Sequence, residues 1–96
     1  MHPVDVKPWV ADDVSRVLRS RNPLFRPVLG LVLFDLHNHL PQNLALYQHK
    51  RTLRNPACFW YARTYVNGAG LQFLSFVVRD TDPAGLEVIW VVSTPP

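Results

Sequence analysis

Apolar and polar positions alternate with two different periods along the chain, and the changes of period divide it into elements. Val4 and Val6 alternate with His2, Asp5 and Lys7, while Pro3 and Pro8 bar helix continuation, so residues 1–8 read as a short extended start suited to a sheet edge. Residues 9–20 switch to helical spacing, with Val10, Val14, Val17 and Leu18 on one stripe. Asp12 and Asp13 are expected in the first turn, and Arg16, Arg19 and Arg21 toward the far end, which suits the helix dipole. Asn22-Pro23 reads as its stop. A second helix is predicted from about Leu24 or Pro27 to Leu40, apolar over most of its circumference and ended by Pro41. A strand over Leu29 to Phe34 stays open, because periodicity alone does not decide a short apolar run. Residues 42–55 are polar with Leu44, Leu46, Tyr47 and Leu53 interspersed, and read as a short helical turn followed by a loop.

The C-terminal part returns to period two. Ala57 to Asn67, Leu71 to Arg79 and Leu86 to Thr94 are rich in Val, Phe, Trp, Tyr and Leu. Asn67-Gly68-Ala69-Gly70 and the stretch from Asp80 to Gly85 separate them, as in antiparallel hairpins. Alternation puts Cys58, Trp60, Ala62, Thr64 and Val66 on one face of the first strand, and Phe59, Tyr61, Arg63 and Tyr65 on the other. In the second, Leu71, Phe73, Ser75 and Val77 oppose Gln72, Leu74, Phe76 and Val78. In the third, Leu86, Val88, Trp90 and Val92 are expected to oppose Glu87, Ile89, Val91 and Ser93. Both faces carry large apolar groups. Two helices cover one face, and the other needs a partner, a further element or a ligand. The expected fold is α+β: two N-terminal helices packed on a C-terminal three- to four-stranded antiparallel sheet, in a single domain spanning residues 1–96.

Composition narrows the classes. Charged residues are 18% and apolar ones 48% of 96 residues, which excludes a disordered polyelectrolyte and a multi-domain enzyme. A lone Cys58 excludes an intramolecular disulfide and a Cys-rich zinc module, and reads as a small reduced core residue. The net charge of +3 permits an anionic partner without demanding one. No basic region followed by an apolar stretch opens the chain, and the longest apolar run, Val28 to Phe34, is too short to span a bilayer; a cytoplasmic protein without membrane contact is expected. No cofactor motif is present: Asn67-Gly68-Ala69-Gly70 leads into a strand and reads as a turn, not a phosphate loop.

Several residues invite chemistry and also admit plainer readings. His37 and His39 on a helix point apart and cannot share one ion. Asp80 and Asp82 are accounted for by turn chemistry. Cys58 with His49 would form a thiol–imidazole pair only if the fold joined them. Trp60, Tyr61, Tyr65 and Trp90 suit either base stacking or a core. The leading candidate is the stretch from His49 to Arg54, joined by Arg63 on the first meander strand and Arg79 at the end of the second. Lys50, Arg51, Arg54, Arg63 and Arg79 are expected to bind nucleic acid if they converge on one exposed sheet surface; otherwise they form a solvated basic face.

The order of an extended start, a helical pair, a basic connector and a three-strand meander resembles the RelE/ParE superfamily of small bacterial toxins. Leu53-Arg54-Asn55-Pro56-Ala57-Cys58-Phe59 looks like that family's entry into its sheet. The run from Gly70 to Phe76 followed by Val77-Val78-Arg79-Asp80 looks like its central strand and acidic turn, and Leu86 to Val92 is similar to its closing strand. The resemblance implies a toxin of a toxin–antitoxin pair, acting on messenger RNA, the ribosome or a nucleic-acid machine and neutralised by an antitoxin protein. For a ribonuclease it implies Arg51, Arg54 and Arg63 as catalytic cations, with His49 a base only if it reaches the same groove. The chain departs from the ribonuclease pattern at Gln72, Trp60 and Ala62, where such members carry basic residues, and in its tail from Val91 to Pro96. A gyrase-poisoning ParE-like protein or an inactive relative therefore stays open. So does a different class: a non-catalytic homodimeric interaction or accessory protein, of phage or mobile-element type, suggested by the two-sided apolar sheet.

Overall fold

The computed structural model describes residues 4–21, 28–67, 70–81 and 85–93. Asn22-Pro23 and Pro27, together with the centres of both hairpin turns, Gly68-Ala69 and Asp82 to Ala84, lie outside the described residues. The chain is α+β. Strand β1 (Val4–Val6) leads into helix α1 (Pro8–Arg21), then α2 (Leu29–Phe34), a π-helical turn (Asp35–His39), α3 (Leu40–Gln42) and α4 (Leu44–Tyr47). Strands β2 (Cys58–Asn67), β3 (Gly70–Asp80) and β4 (Leu86–Ser93) complete it.

The four strands form one sheet in the order β1-β4-β3-β2. β2, β3 and β4 make the antiparallel meander that the alternation predicts. The sheet as a whole is mixed, which corrects the expected antiparallel one: β1 pairs parallel with β4, Val4 opposite Leu86 and Val6 opposite Val88. The reason is connective. β1 enters the sheet beside the last strand rather than beside its own neighbour in sequence: the helical elements carry the chain to β2 at the far edge, and the meander returns it to β4 beside β1. Lys7 ties this edge together through Asp5 at 2.6 Å and Glu87 at 3.9 Å. The bond and charge of Asp5 raise the Lys7 pKa, burial opposes the rise and Glu87 adds to it.

Helix α1 buries Val10, Val14 and Leu18 as predicted. It begins at Pro8, one residue before the predicted start, so Asp12 and Asp13 fall beyond its first turn. Asp13 pairs with Arg16 at 2.8 Å. The second helix is one helical stretch broken into pieces, and Pro41 lies inside it rather than ending it. The Leu40 N–H bonds the Asp35 carbonyl, five residues back. Pro41 has no N–H to offer the preceding turn, which favours this wider winding just before it. The winding has a packing consequence. Val28, Val32, Leu36, Leu40 and Leu44 are all buried, at a strict spacing of four. On a regular helix each step of four overshoots a full turn by about 40°, so five such residues drift off one face. A π turn advances fewer degrees per residue and brings the stripe back onto the sheet.

The core is this stripe and the α1 stripe against Phe59, Tyr61 and Tyr65 of β2, Leu74, Phe76 and Val78 of β3, and Leu86, Val88 and Val91 of β4. The faces of β2 and β3 follow the sequence alternation. The faces of β4 do not. Val77 pairs with Trp90 but Val78 pairs with Val88, so Ile89 is an extra residue in a β-bulge. The bulge moves Val91 to the helix side and Trp90 and Val92 to the open side, correcting the grouping of Leu86, Val88, Trp90 and Val92. Among the described residues no helix is long and apolar enough to cross a membrane.

Leu36 sits at the centre of the stripe and Leu31 on its outer side. Leu36→Ala should lower the unfolding free energy in a urea titration by about 2–5 kcal/mol, and Leu31→Ala by less than about 1 kcal/mol.

Candidate functional site

The basic residues singled out by the sequence are distributed over different surfaces. Lys50, Arg51 and Arg54 are all exposed on the connector before β2. That connector docks on the outer edge of β2: the Thr52 N–H donates to the Cys58 carbonyl and the Trp60 N–H to the Lys50 carbonyl, both at 2.9 Å. The ammonium of Lys50 lies 5.5 Å from the Tyr47 ring centre. Arg51 pairs opposite Phe59 with its guanidinium 5.7 Å from that ring, and it reaches Asp80 at 3.8 Å. Arg63 points from the helix-covered face of β2 to Asp35, with Nε 3.3 Å from the carboxylate. Arg79 stands opposite Glu87 on the other face of the sheet. The fold therefore brings Lys50, Arg51 and Arg54 onto one connector, engages Arg51 and Arg63 with aspartates, and sets Arg79 apart from both.

Other candidates also separate. His37 is exposed while His39 turns inward. The Cys58 thiol is buried and His49 lies on an exposed turn. Tyr61 and Tyr65 are core residues, whereas Trp60 and Trp90 share the open face. Gln72 is buried and donates to the Ser93 hydroxyl at 2.6 Å. No group of three His, Cys, Asp or Glu residues suited to a metal ion occurs among the described residues.

A polar cluster that the sequence did not announce occupies the seam between the π turn and β2. Asp35 and His39, four residues apart, leave the apolar stripe and meet alternate residues of the strand. His39 Nδ1 and the Tyr61 hydroxyl form a hydrogen bond of 2.8 Å. Tyr47 packs edge-on against Tyr61 at 4.7 Å, and Phe76 lies behind at 6.0 Å. Asp35 takes Arg63, and Asn43 donates to the His39 carbonyl at 2.9 Å, fixing the helix end. The Tyr65 hydroxyl is buried near the Asp35 carboxylate and makes no hydrogen bond of good geometry among the described residues. Burial raises the Tyr61 pKa above the phenol range, and Arg63 only partly offsets it. Burial raises Tyr65 in the same direction, and the Asp35 carboxylate adds to it. Arg63 is also raised: burial lowers it, but charge at Tyr61 and Asp35 outweighs that cost. The spacing of Asp35 and His39, read against Tyr61, Arg63 and Tyr65, was the available signal, but it needed the pairing of helix and strand.

Chemically, this cluster holds a layer interface together. Its phenols stay protonated and Arg63 pairs with Asp35, so it offers no unpaired cation. The second surface of note is the open face of the sheet. Trp60, Val77 and Trp90 form one row across three strands, and Ala62, Ser75 and Val92 the next. Thr64 with Phe73 and Val66 with Leu71 continue it toward the hairpin. No family model, curated protein or solved structure matches the chain.

The two tyrosines give opposite expectations. Tyr61→Phe removes the partner of His39 and should cost about 1 kcal/mol, while Tyr65→Phe removes a desolvated, unpaired hydroxyl and should be neutral or stabilising. Both phenols keep their protons in the fold beyond the unfolded value of about 10. The stability that they add is complete below that pH and is lost as pH rises above it, when the unfolded chain ionises first. Urea titrations from pH 8 to 11 should show stability falling above about pH 10, less steeply in Tyr65→Phe.

Proposed function

We propose that the chain is a non-catalytic interaction protein that works as a homodimer and offers the open face of its sheet to a partner protein. The uncovered apolar face carries this reading. Trp60, Val66, Leu71, Trp90 and Val92 each leave between 36% and 63% of their surface exposed. Together they present on the order of 500 Å² of apolar side chain, toward the upper end for a monomer and more than half of what one side of a standard interface buries. Among the described residues the strand positions of the face are uncharged except in the row at one end, where Arg79, Glu87 and Asp5 stand side by side and Lys7 reaches Glu87 and Asp5. Along the rows of Trp60 with Trp90 and Ala62 with Val92 a phosphate backbone finds no cation, whereas an apolar protein surface finds two tryptophans, a residue type enriched among interface anchors. The pairing of Arg51 and Arg63 with aspartates supports the same reading. Cations already neutralised contribute little to a developing phosphoryl charge.

A second reading is favoured by a separate observation, the exposure of Lys50, Arg51 and Arg54 together on the connector into β2. With the element order, it supports a RelE/ParE-like toxin acting on RNA or the ribosome and neutralised by an antitoxin. Added to a cell-free translation reaction, such a protein stops synthesis, and Arg51→Ala with Arg54→Ala restores it. Undiminished synthesis at excess protein discards this reading.

The leading reading is tested by replacing Trp60 and Trp90 together with lysine. Both side chains project from the open face, so the circular dichroism spectrum should not change. A protein captured stoichiometrically by the native chain should bind the variant about 30-fold more weakly or worse. Equal capture by both chains overturns the assignment of the face. Light scattering of the native chain should give twice the 11.0 kDa chain mass, and a monomer throughout removes the homodimer.

A further inference from the structure

β2 is the outer strand of the sheet, and among the described residues most of its outer edge carries no neighbour. Residues 58 and 60 turn their backbone groups outward, since these bond Thr52 and Lys50. The Ala57 carbonyl, by contrast, accepts from Asp80 of β3. Alternation then turns the N–H and C=O groups of Ala62, Thr64 and Val66 outward too. Among the described residues only the Lys50–Thr52 segment engages this edge, and it stops at Trp60. From Tyr61 to Asn67 the strand has no proline, no bulge and one charge, Arg63, which Asp35 engages. Natural edges are commonly blunted by such features against pairing with another chain.

We propose that this edge is the self-association site, occupied by the same edge of a second copy running antiparallel, with Thr64 on the two-fold axis. The inference rests on the homodimer proposed above and specifies how it forms. The register follows from the residues. With Thr64 opposite Thr64 of the partner subunit, Ala62 faces Val66 of the partner subunit and Arg63 faces Tyr65 of the partner subunit. Three residue pairs then exchange two backbone hydrogen bonds each, using the outward groups left unpaired in one chain. Threonine against threonine is a favourable cross-strand pair, and arginine meets an aromatic residue rather than its like. Centring on Arg63 would oppose two guanidinium groups and call on the Trp60 N–H, already given to Lys50. Centring on Ala62 would press each partner strand against the Lys50–Thr52 segment. Centring on Tyr65 would leave only two hydrogen-bonded pairs. The Thr64 register fits the free length of the edge. It joins two four-stranded sheets into one, with both apolar faces side by side and still uncovered for the partner protein.

Thr64→Cys tests it. In this register the two new residues are a hydrogen-bonded antiparallel pair, with Cα atoms about 5.5 Å apart, within disulfide reach. Cys58 is buried, so mild oxidation acts on the introduced thiol. The full chain should convert largely to a covalent dimer on non-reducing gels. Ala62→Cys, whose symmetry mates would lie about 13 Å apart, should not. Thr64→Pro, which removes the central donor, should shift light scattering of the reduced protein to monomer. A native dimer in which Thr64→Cys stays uncrosslinked and Thr64→Pro stays dimeric overturns the edge pairing while leaving the homodimer. A native chain that is monomeric at every concentration overturns the homodimer itself.

Discussion

The structure depends on one packing contact: the stripe from Val28 to Leu44 laid across the helix side of the meander. Every fourth residue of that stripe is buried, and no regular helix holds such a spacing on a flat surface for four steps. The π turn resolves the mismatch, and in doing so it aims Asp35 and His39 at β2. Core packing and the polar seam are thus one solution. The same turn that keeps Leu36 and Leu40 buried delivers the partners of Arg63 and Tyr61. Burying each aliphatic side chain is worth roughly 1.5–3 kcal/mol, so the stripe outweighs the modest cost of the distorted turn.

That contact also settles which side of the sheet stays open. One α-helical layer covers one face, and the described residues contain no second layer. The open face gathers its charges, Asp5, Glu87 and Arg79, in one end row and is apolar or neutral elsewhere, which is the composition that supports the proposed binding of a partner. Two of the four guanidinium groups that drew notice in the sequence hold elements together. Arg63 links the π turn to β2, and Arg51 links the connector to the end of β3.

Local pattern made much of this legible. The alternation grouped Phe59, Tyr61 and Tyr65 on one side of β2, and Leu74 and Phe76 on one side of β3, because both strands keep an unbroken period; that the two groups share one face of the sheet needed the register. The stripe of α1 was legible for the same reason. β4 was not: from Val88 to Val92 every residue is apolar, so nothing in the sequence marks the phase, and the bulge at Ile89 passes unseen. The direction of β1 was also hidden, since three residues record no partner and the crossover is a property of the whole chain. In the site, Arg63 was picked out by type, but its engagement by Asp35, 28 residues away, is a tertiary fact. His39 read only as one of two histidines pointing apart on a helix, because its partner, Tyr61, belongs to an element 22 residues on.

Size brings these observations together. A chain of 96 residues without a disulfide buries a smaller fraction of its surface than a larger domain does, and one helix layer on one sheet is near the least that folds. Such a domain gains most by closing what it leaves open, and it leaves open two different things. The edge of β2 offers backbone hydrogen bonds, which any extended strand can satisfy but which a copy of the same strand satisfies symmetrically. The face offers tryptophans and aliphatic groups, which give no register and call for shape rather than direction. Edge and face are therefore suited to different partners, and pairing two edges doubles the face instead of consuming it. On the proposed edge pairing, the basic connector beside that edge, with Lys50 stacked on Tyr47 and Arg51 drawn to Asp80, borders the joint.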